Sequence, residues 1–255
     1  MSFIETVEKL ATQLKTELSH PYVDRALGAP EIDRDKLAVY YTIFKQGPAA
    51  LLLTRVNALM AAEIGLATHE QMTRTEGEGH QSILERQLVT LSGDYYSALY
   101  YFWLAKDEQR ELTHWVAQAI QEYNVIKSQL YYPSAPLSAD QLTHLLERLE
   151  SQLVVTMTDY AGRSDLKPLL QSFFLLKRLC TDCWQSASES TRYLISCLSS
   201  SGASLTQHIQ MARRQVEQSL SACCQDNSDD RTLSAYLKER AELLWLSAAG
   251  EGQKQ

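Results

Sequence analysis

The sequence predicts an all-α protein, a bundle of many helices. Apolar residues recur at helical spacing along nearly the whole chain. Ten glycines and six prolines in 255 residues are too few for the closely spaced turns of a sandwich or barrel. Where glycine, proline and capping residues do occur, they punctuate the periodic runs at helix-length intervals. With 45% hydrophobic and 22% charged side chains, the composition is that of a folded globular chain.

The first helix opens on a capping box, Ser2-Phe3-Ile4-Glu5, and carries Ile4, Val7, Leu10, Ala11, Leu14 and Leu18 as its apolar stripe. His20-Pro21 ends it, because the residue before proline is pushed out of the helical region, and Ala29-Pro30 makes the next break. Asp33 caps a helix containing Leu37, Tyr40, Tyr41 and Phe44, closed by Gly47-Pro48. Ala49 to Thr73 is a long, uncapped apolar run that includes Val56, Leu59, Met60 and Ile64. A polar loop, Glu76-Gly77-Glu78-Gly79, separates it from a helix over about 81–106. Further helices are expected near 108–130, 138–157, 165–182, 186–200, 204–224 and 231–247. Ser138 and Ser204 each precede a glutamine three residues on, Gln141 and Gln207, as a capping box requires. The chain reads as a single all-α domain over 1–249 with a hinge near 132–137, at Tyr132-Pro133-Ser134-Ala135-Pro136, and a frayed tail over 250–255.

Charge narrows the function classes. Lysine and arginine total 24 against 31 acidic residues, a formal charge of −7, which opposes sequence-independent binding to nucleic acid. The start, Met1-Ser2-Phe3-Ile4-Glu5, lacks the basic and apolar regions of a signal peptide. The longest unbroken apolar-aromatic stretch, Tyr95 to Ala105, is shorter than the roughly 20 residues that span a bilayer. A cytoplasmic protein without a transmembrane segment is expected. The cysteines, Cys180, Cys183, Cys197, Cys223 and Cys224, are odd in number and confined to the last third. They read as reduced thiols rather than a disulfide framework, and the Cys180/Cys183 pair has no second pair at zinc-ribbon spacing.

Chemistry leaves few marks. Two E-x-x-H matches, Glu17/His20 and Glu111/His114, invite a di-metal reading, but no glutamate-bearing helix precedes the first, as a carboxylate-bridged bundle needs. No nucleophile elbow, P-loop or dinucleotide fingerprint occurs. The aromatic block Tyr95–Trp103 places Tyr96, Leu99, Tyr100 and Trp103 on one helical face, with Tyr95 and Phe102 on others. A helix apolar on every side is buried in its own core or against a partner subunit. Both readings stand.

The stretches His69-Glu70-Gln71 and Arg86-Gln87-Leu88-Val89-Thr90-Leu91-Ser92-Gly93-Asp94-Tyr95 resemble heptaprenyl diphosphate synthase component I. That is the small subunit of two-component bacterial polyprenyl synthases. Leu18-Ser19-His20-Pro21-Tyr22, Ile32-Asp33, Ile126-Lys127 and Phe173-Phe174 with Lys177-Arg178-Leu179 extend the likeness over roughly residues 5–180. The resemblance implies a multi-helix bundle similar to the isoprenoid (trans-prenyl) synthase fold. It also implies that the first aspartate-rich, Mg²⁺-holding motif of an active synthase follows His69. Its leading aspartates are replaced by Glu70 and Gln71, and its last acidic position falls near Arg74. For the second motif only Asp229-Asp230 is found, in a polar turn. Catalytic residues and bound metal are therefore not expected in this chain. Mg²⁺ and catalysis are expected in component II, the partner that carries both motifs and condenses isopentenyl diphosphate onto farnesyl diphosphate. The resemblance further implies that the Gly-Asp-Tyr helix packs against that partner or walls the product tunnel. The residues concerned are Arg86, Gln87, Gly93, Asp94, Tyr95, Tyr96, Leu99, Tyr100 and Trp103. Asp94 is expected as a structural hydrogen-bond acceptor, while Arg74, Arg86 and Arg178 contact diphosphate or form salt bridges. The product would feed menaquinone side chains and hold the complex at the membrane periphery. Two alternatives remain open: a helical adaptor with no isoprenoid role, and a prenyl-diphosphate-binding enzyme using Glu70 and Asp94 as unconventional metal ligands.

Overall fold

A computed structural model describes residues 2–71, 83–182, 204–222 and 228–251. Among the described residues are ten α-helices and no strand. They are α1 (Phe3–Leu18), α2 (Pro21–Leu27), α3 (Arg34–Phe44), α4 (Ala49–Glu70), α5 (Ile83–Lys106), α6 (Arg110–Tyr131), α7 (Ala139–Tyr160), α8 (Lys167–Asp182), α9 (Leu205–Ala222) and α10 (Ser228–Glu251). The expected helix at 186–200, Arg74, the loop Glu76–Gly79 and the cysteines other than Cys180 lie outside the described residues.

The capping signals act as read. The Ser2 hydroxyl accepts from the Glu5 amide while Glu5 accepts from Ser2. The same reciprocal pair joins Ser138 to Gln141 and Ser204 to Gln207, and Asp33 accepts from the amides of residues 35 and 36. One element differs from expectation. Pro21 does not simply stop α1; it is the first residue of α2, with His20 as the N-cap. Proline suits that position because the amide it lacks is one the helix leaves unpaired anyway.

Two helix ends share a geometry and differ in residue. At the end of α7 the amides of Gly162 and Arg163 donate to the carbonyls of Asp159 and Thr158, with Gly162 at φ +71°. At the end of α5 the amides of Glu108 and Gln109 donate to Ala105 and Leu104. There a glutamate, Glu108, adopts φ +54°, a conformation in which its Cβ crowds the backbone.

The chain forms two compact units, Met1–Val116 and Ala117–Gln255, with the division inside α6. In the first, α1 packs on α3, α3 on α4, and α4 along α5, with α2 against α5. Leu14, Leu18, Leu37, Tyr40, Leu59 and Met60 are wholly enclosed there. In the second, α8 touches α7, α9 and α10, and its Leu170, Phe173, Leu176 and Leu179 are fully buried. The Tyr132–Pro136 stretch joins α6 to α7 within this second unit.

One described helix, α4, is long and apolar enough to cross a membrane, at mean hydropathy 1.4, and half of that stretch is buried inside the protein. Glu63 lies within it. Its carboxylate accepts from Lys36 Nζ and from the Tyr40 hydroxyl, both at 2.6 Å. Burial, then the nearby Glu63 charge, pushes the Tyr40 phenol well above its ordinary range.

Candidate functional site

His69-Glu70-Gln71 and Gly93-Asp94-Tyr95 meet where the end of α4 packs on α5. Small residues make the crossing close. A Cβ added at Gly65 would stand 3.4 Å from the Gly93 carbonyl and 3.3 Å from the Ser97 hydroxyl. One turn on, the His69 imidazole lies directly over Gly93. A Cβ at Gly93 would fall 2.5 Å from its Nε2 and 2.7 Å from its Nδ1. The missing side chain of Gly93 is thus the seat of the His69 ring.

Asp94, next along α5, holds a carboxylate oxygen 3.7 Å from His69 Nε2. It was expected as a structural acceptor because buried carboxylates need partners; its side chain is instead 66% exposed. Solvent supplies what burial would have demanded. Glu70 and Gln71 finish α4 at the surface side of the same crossing. Mg²⁺ takes hard oxygen ligands in octahedral geometry, usually with carboxylates. The described residues here supply two carboxylates, Glu70 and Asp94, beside the His69 imidazole and the Gln71 amide. Among the described residues no three His, Cys, Asp or Glu side chains converge on a metal position.

The third wall is α2, which sequence reading missed. His20 caps it, accepting from the Tyr22 amide, and its ring tilts against Tyr95 at 5.3 Å. Asp24 sits behind, accepting from the Ser19 hydroxyl. Burial first, and Asp24 second, raise Tyr95, and push Tyr96 up to about 12. The signal available was Pro21 itself, read as a stop when it also marks a start. His20 is therefore a cap and not half of an E-x-x-H pair, and Glu17 instead accepts from Gln13 and Asn57.

The α5 aromatic block divides by face. Val89, Gly93, Tyr96, Tyr100 and Leu104 point inward and are buried. Leu99 and Trp103 are half-buried, and Arg86 and Gln87 are exposed. Outward, Leu84, Leu91 and Phe102 are each 60% or more exposed. With half-buried Leu88 and Tyr95 and exposed Ala98, they form a stripe at alternating steps of four and three residues. That is the spacing with which one helix seats another.

Two further expectations resolve into structure. Arg178 pairs with Glu150 at 2.7 Å. Asp229-Asp230 is not a polar turn but the first turn of α10, where carboxylates meet the positive end of the helix dipole. Asp230 is 3% exposed and lies 2.8 Å from Arg163, which also binds Asp165.

Residues 20–228 match the family described as heptaprenyl diphosphate synthase (HEPPP synthase) subunit 1. Heptaprenyl diphosphate synthase component 1 of Geobacillus stearothermophilus is 32% identical over 122 residues. That alignment takes in 48% of this chain and 53% of that protein, so the chain spans about half the length of its curated relative. Among solved structures, a geranyltransferase from Helicobacter pylori superposes with a TM-score of 0.64 at 13% identity, covering 96% of this chain and 99% of that one. A decaprenyl diphosphate synthase from Rhodobacter capsulatus gives 0.54 at 13%, over 97% and 87%. At such identities the likeness is one of fold: the chain has the all-α isoprenoid synthase architecture.

Proposed function

We propose a function from the premise that the chain belongs to the heptaprenyl diphosphate synthase subunit 1 family: it is the regulatory, catalytically inert subunit of a two-component synthase. The partner, component II, holds Mg²⁺ and joins isopentenyl diphosphate to farnesyl diphosphate. This chain is needed for activity and for product length, and the complex works in the cytoplasm on a menaquinone side-chain precursor.

The observation that carries this reading is the α4–α5 crossing. The helical frame is present, with its glycines at the contact, yet the positions after His69 hold Glu70 and Gln71. A frame that keeps a single carboxylate where the motif of an active synthase places an aspartate pair suits a use other than ionising a diphosphate. The α5 stripe supplies one. Leu84, Leu91 and Phe102 lie exposed along one side of α5, apolar side chains of the kind a protein partner covers. Tyr96 and Tyr100, enclosed within the chain, suit a tunnel wall better than a docking face.

The test is to assay the chain alone and mixed with component II. Synthase activity should appear only in the mixture, with a product longer than farnesyl diphosphate. Turnover by this chain alone defeats the inert-subunit claim, and separate elution on gel filtration defeats the partnership.

A further inference from the structure

The outward stripe of α5 has two halves mirrored about Gly93. Leu84 and Phe102 lie nine residues to either side of it, Leu88 and Ala98 five, and Leu91 and Tyr95 two. Two such helices laid antiparallel, with a two-fold axis at the level of Gly93, set Leu84 against Phe102, Leu88 against Ala98 and Leu91 against Tyr95 of the other copy. Alternating steps of four and three make any such stripe symmetric in spacing. The relief is particular to this one. Half-buried Leu88 meets exposed Ala98, and half-buried Tyr95 meets exposed Leu91. At both ends two exposed side chains meet, Leu84 and Phe102. A two-fold interface requires this self-complementarity, because one patch must fit itself.

Charge permits the same meeting. Two copies of formal charge −7 repel one another over most approaches. Between Leu84 and Phe102 only Glu85, Arg86 and Asp94 are charged, and none belongs to the stripe. The seam they border is about 27 Å long at 1.5 Å per residue, roughly five turns of helix, and its spacing suits knobs seated in holes.

We infer that, without its partner, this chain pairs with a second copy of itself through antiparallel α5 helices in that register. The self-pair covers the face assigned above to component II, so the two associations compete. This rests on the reading of the stripe as a docking face, and adds to it a register and a second occupant.

The experiment is sedimentation equilibrium of the full chain alone, which should show a reversible dimer. Leu91→Glu, at an exposed position, should raise the dissociation constant roughly tenfold or more, with the helical circular dichroism unchanged. Oxidative cross-linking reads the register. Leu88→Cys together with Ala98→Cys should give a covalent dimer well above the level of the wild type or of either single variant. In the single variants the two copies of one position stand about 15 Å apart, too far for a disulfide. A chain that stays monomeric overturns the inference, as does a dimer indifferent to Leu91→Glu or cross-linking no stronger in the double variant. A monomer that still binds component II defeats the self-pair and leaves the subunit reading standing. A dimer that passes these tests but never exchanges into a complex with component II upholds the self-pair and defeats the partnership.

Discussion

The His69 imidazole occupies the space that a side chain at Gly93 would need. In an open helix Gly→Ala gains about 1 kcal/mol from lost backbone freedom. Here the methyl group and the ring compete for one volume. Gly93→Ala is therefore expected to gain nothing, while in a His69→Ala background the same change recovers about 1 kcal/mol. A double-mutant cycle by urea unfolding reads the coupling; strict additivity would mean that the ring moves aside freely.

Glu63 joins α4 to α3 through two short bonds, to Lys36 and Tyr40. Both members of the ion pair are largely buried, at 15% and 9% side-chain exposure. Glu63→Ala leaves an ammonium and a phenol without their acceptor. We expect a loss of about 3 kcal/mol in equilibrium unfolding, against a smaller loss for Lys36→Met, which leaves Tyr40 bound.

Alkaline pH should weaken the first unit. Burial holds Tyr96 protonated, moving it from 10.0 to about 12, and Tyr40 and Tyr100 rise as well. A folded value above the unfolded one means that the contribution is intact below pH 10. It is lost as pH climbs from there through the folded value, about 12 for Tyr96. The urea midpoint should fall as pH rises from about 10 to about 12, less steeply in Tyr96→Phe, while absorbance at 295 nm shows late-titrating phenols.

Glu108 sits where Gly162 sits, at a left-handed helix end. Glu108→Gly should raise stability by about 1 kcal/mol, seen as a higher thermal midpoint. An unchanged midpoint would show the strain to be offset locally.

The outward stripe of α5 separates docking from folding. Leu91→Glu with Phe102→Glu should keep the thermal midpoint within a few degrees, since both residues are exposed, and should abolish co-elution with component II. Tyr100→Ala, in the interior, should do the reverse and cost about 3 kcal/mol.

What the residues reveal on reading depends on how local the determinant is. Capping boxes at Ser2, Ser138 and Ser204 are written within four positions, and each forms. The short helix behind Pro21 was hidden because a proline both ends one helix and begins another. On α5 itself, apolar residues on every side erase the amphipathic signal. Periodicity could not say that Tyr96 and Tyr100 face in while Phe102 faces out. The seat of His69 over Gly93 is longer in range still: neither residue alone implies the other. Glu63 was open to detection, as the one carboxylate between Ala49 and Ile64 in an otherwise apolar run.

That carboxylate has a second consequence, during synthesis. Helix α4 leaves the ribosome before α5 exists to cover it, and by hydropathy it is fit to enter a bilayer. Charges at a helix centre cost about 2.5–3.5 kcal/mol each on insertion. Glu63 and Arg55, eight residues apart on α4, make the nascent segment a poor substrate for the insertion machinery. The carboxylate that ties α3 to α4 in the finished protein is thus also one of the two charges that raise the cost of placing this helix in a bilayer.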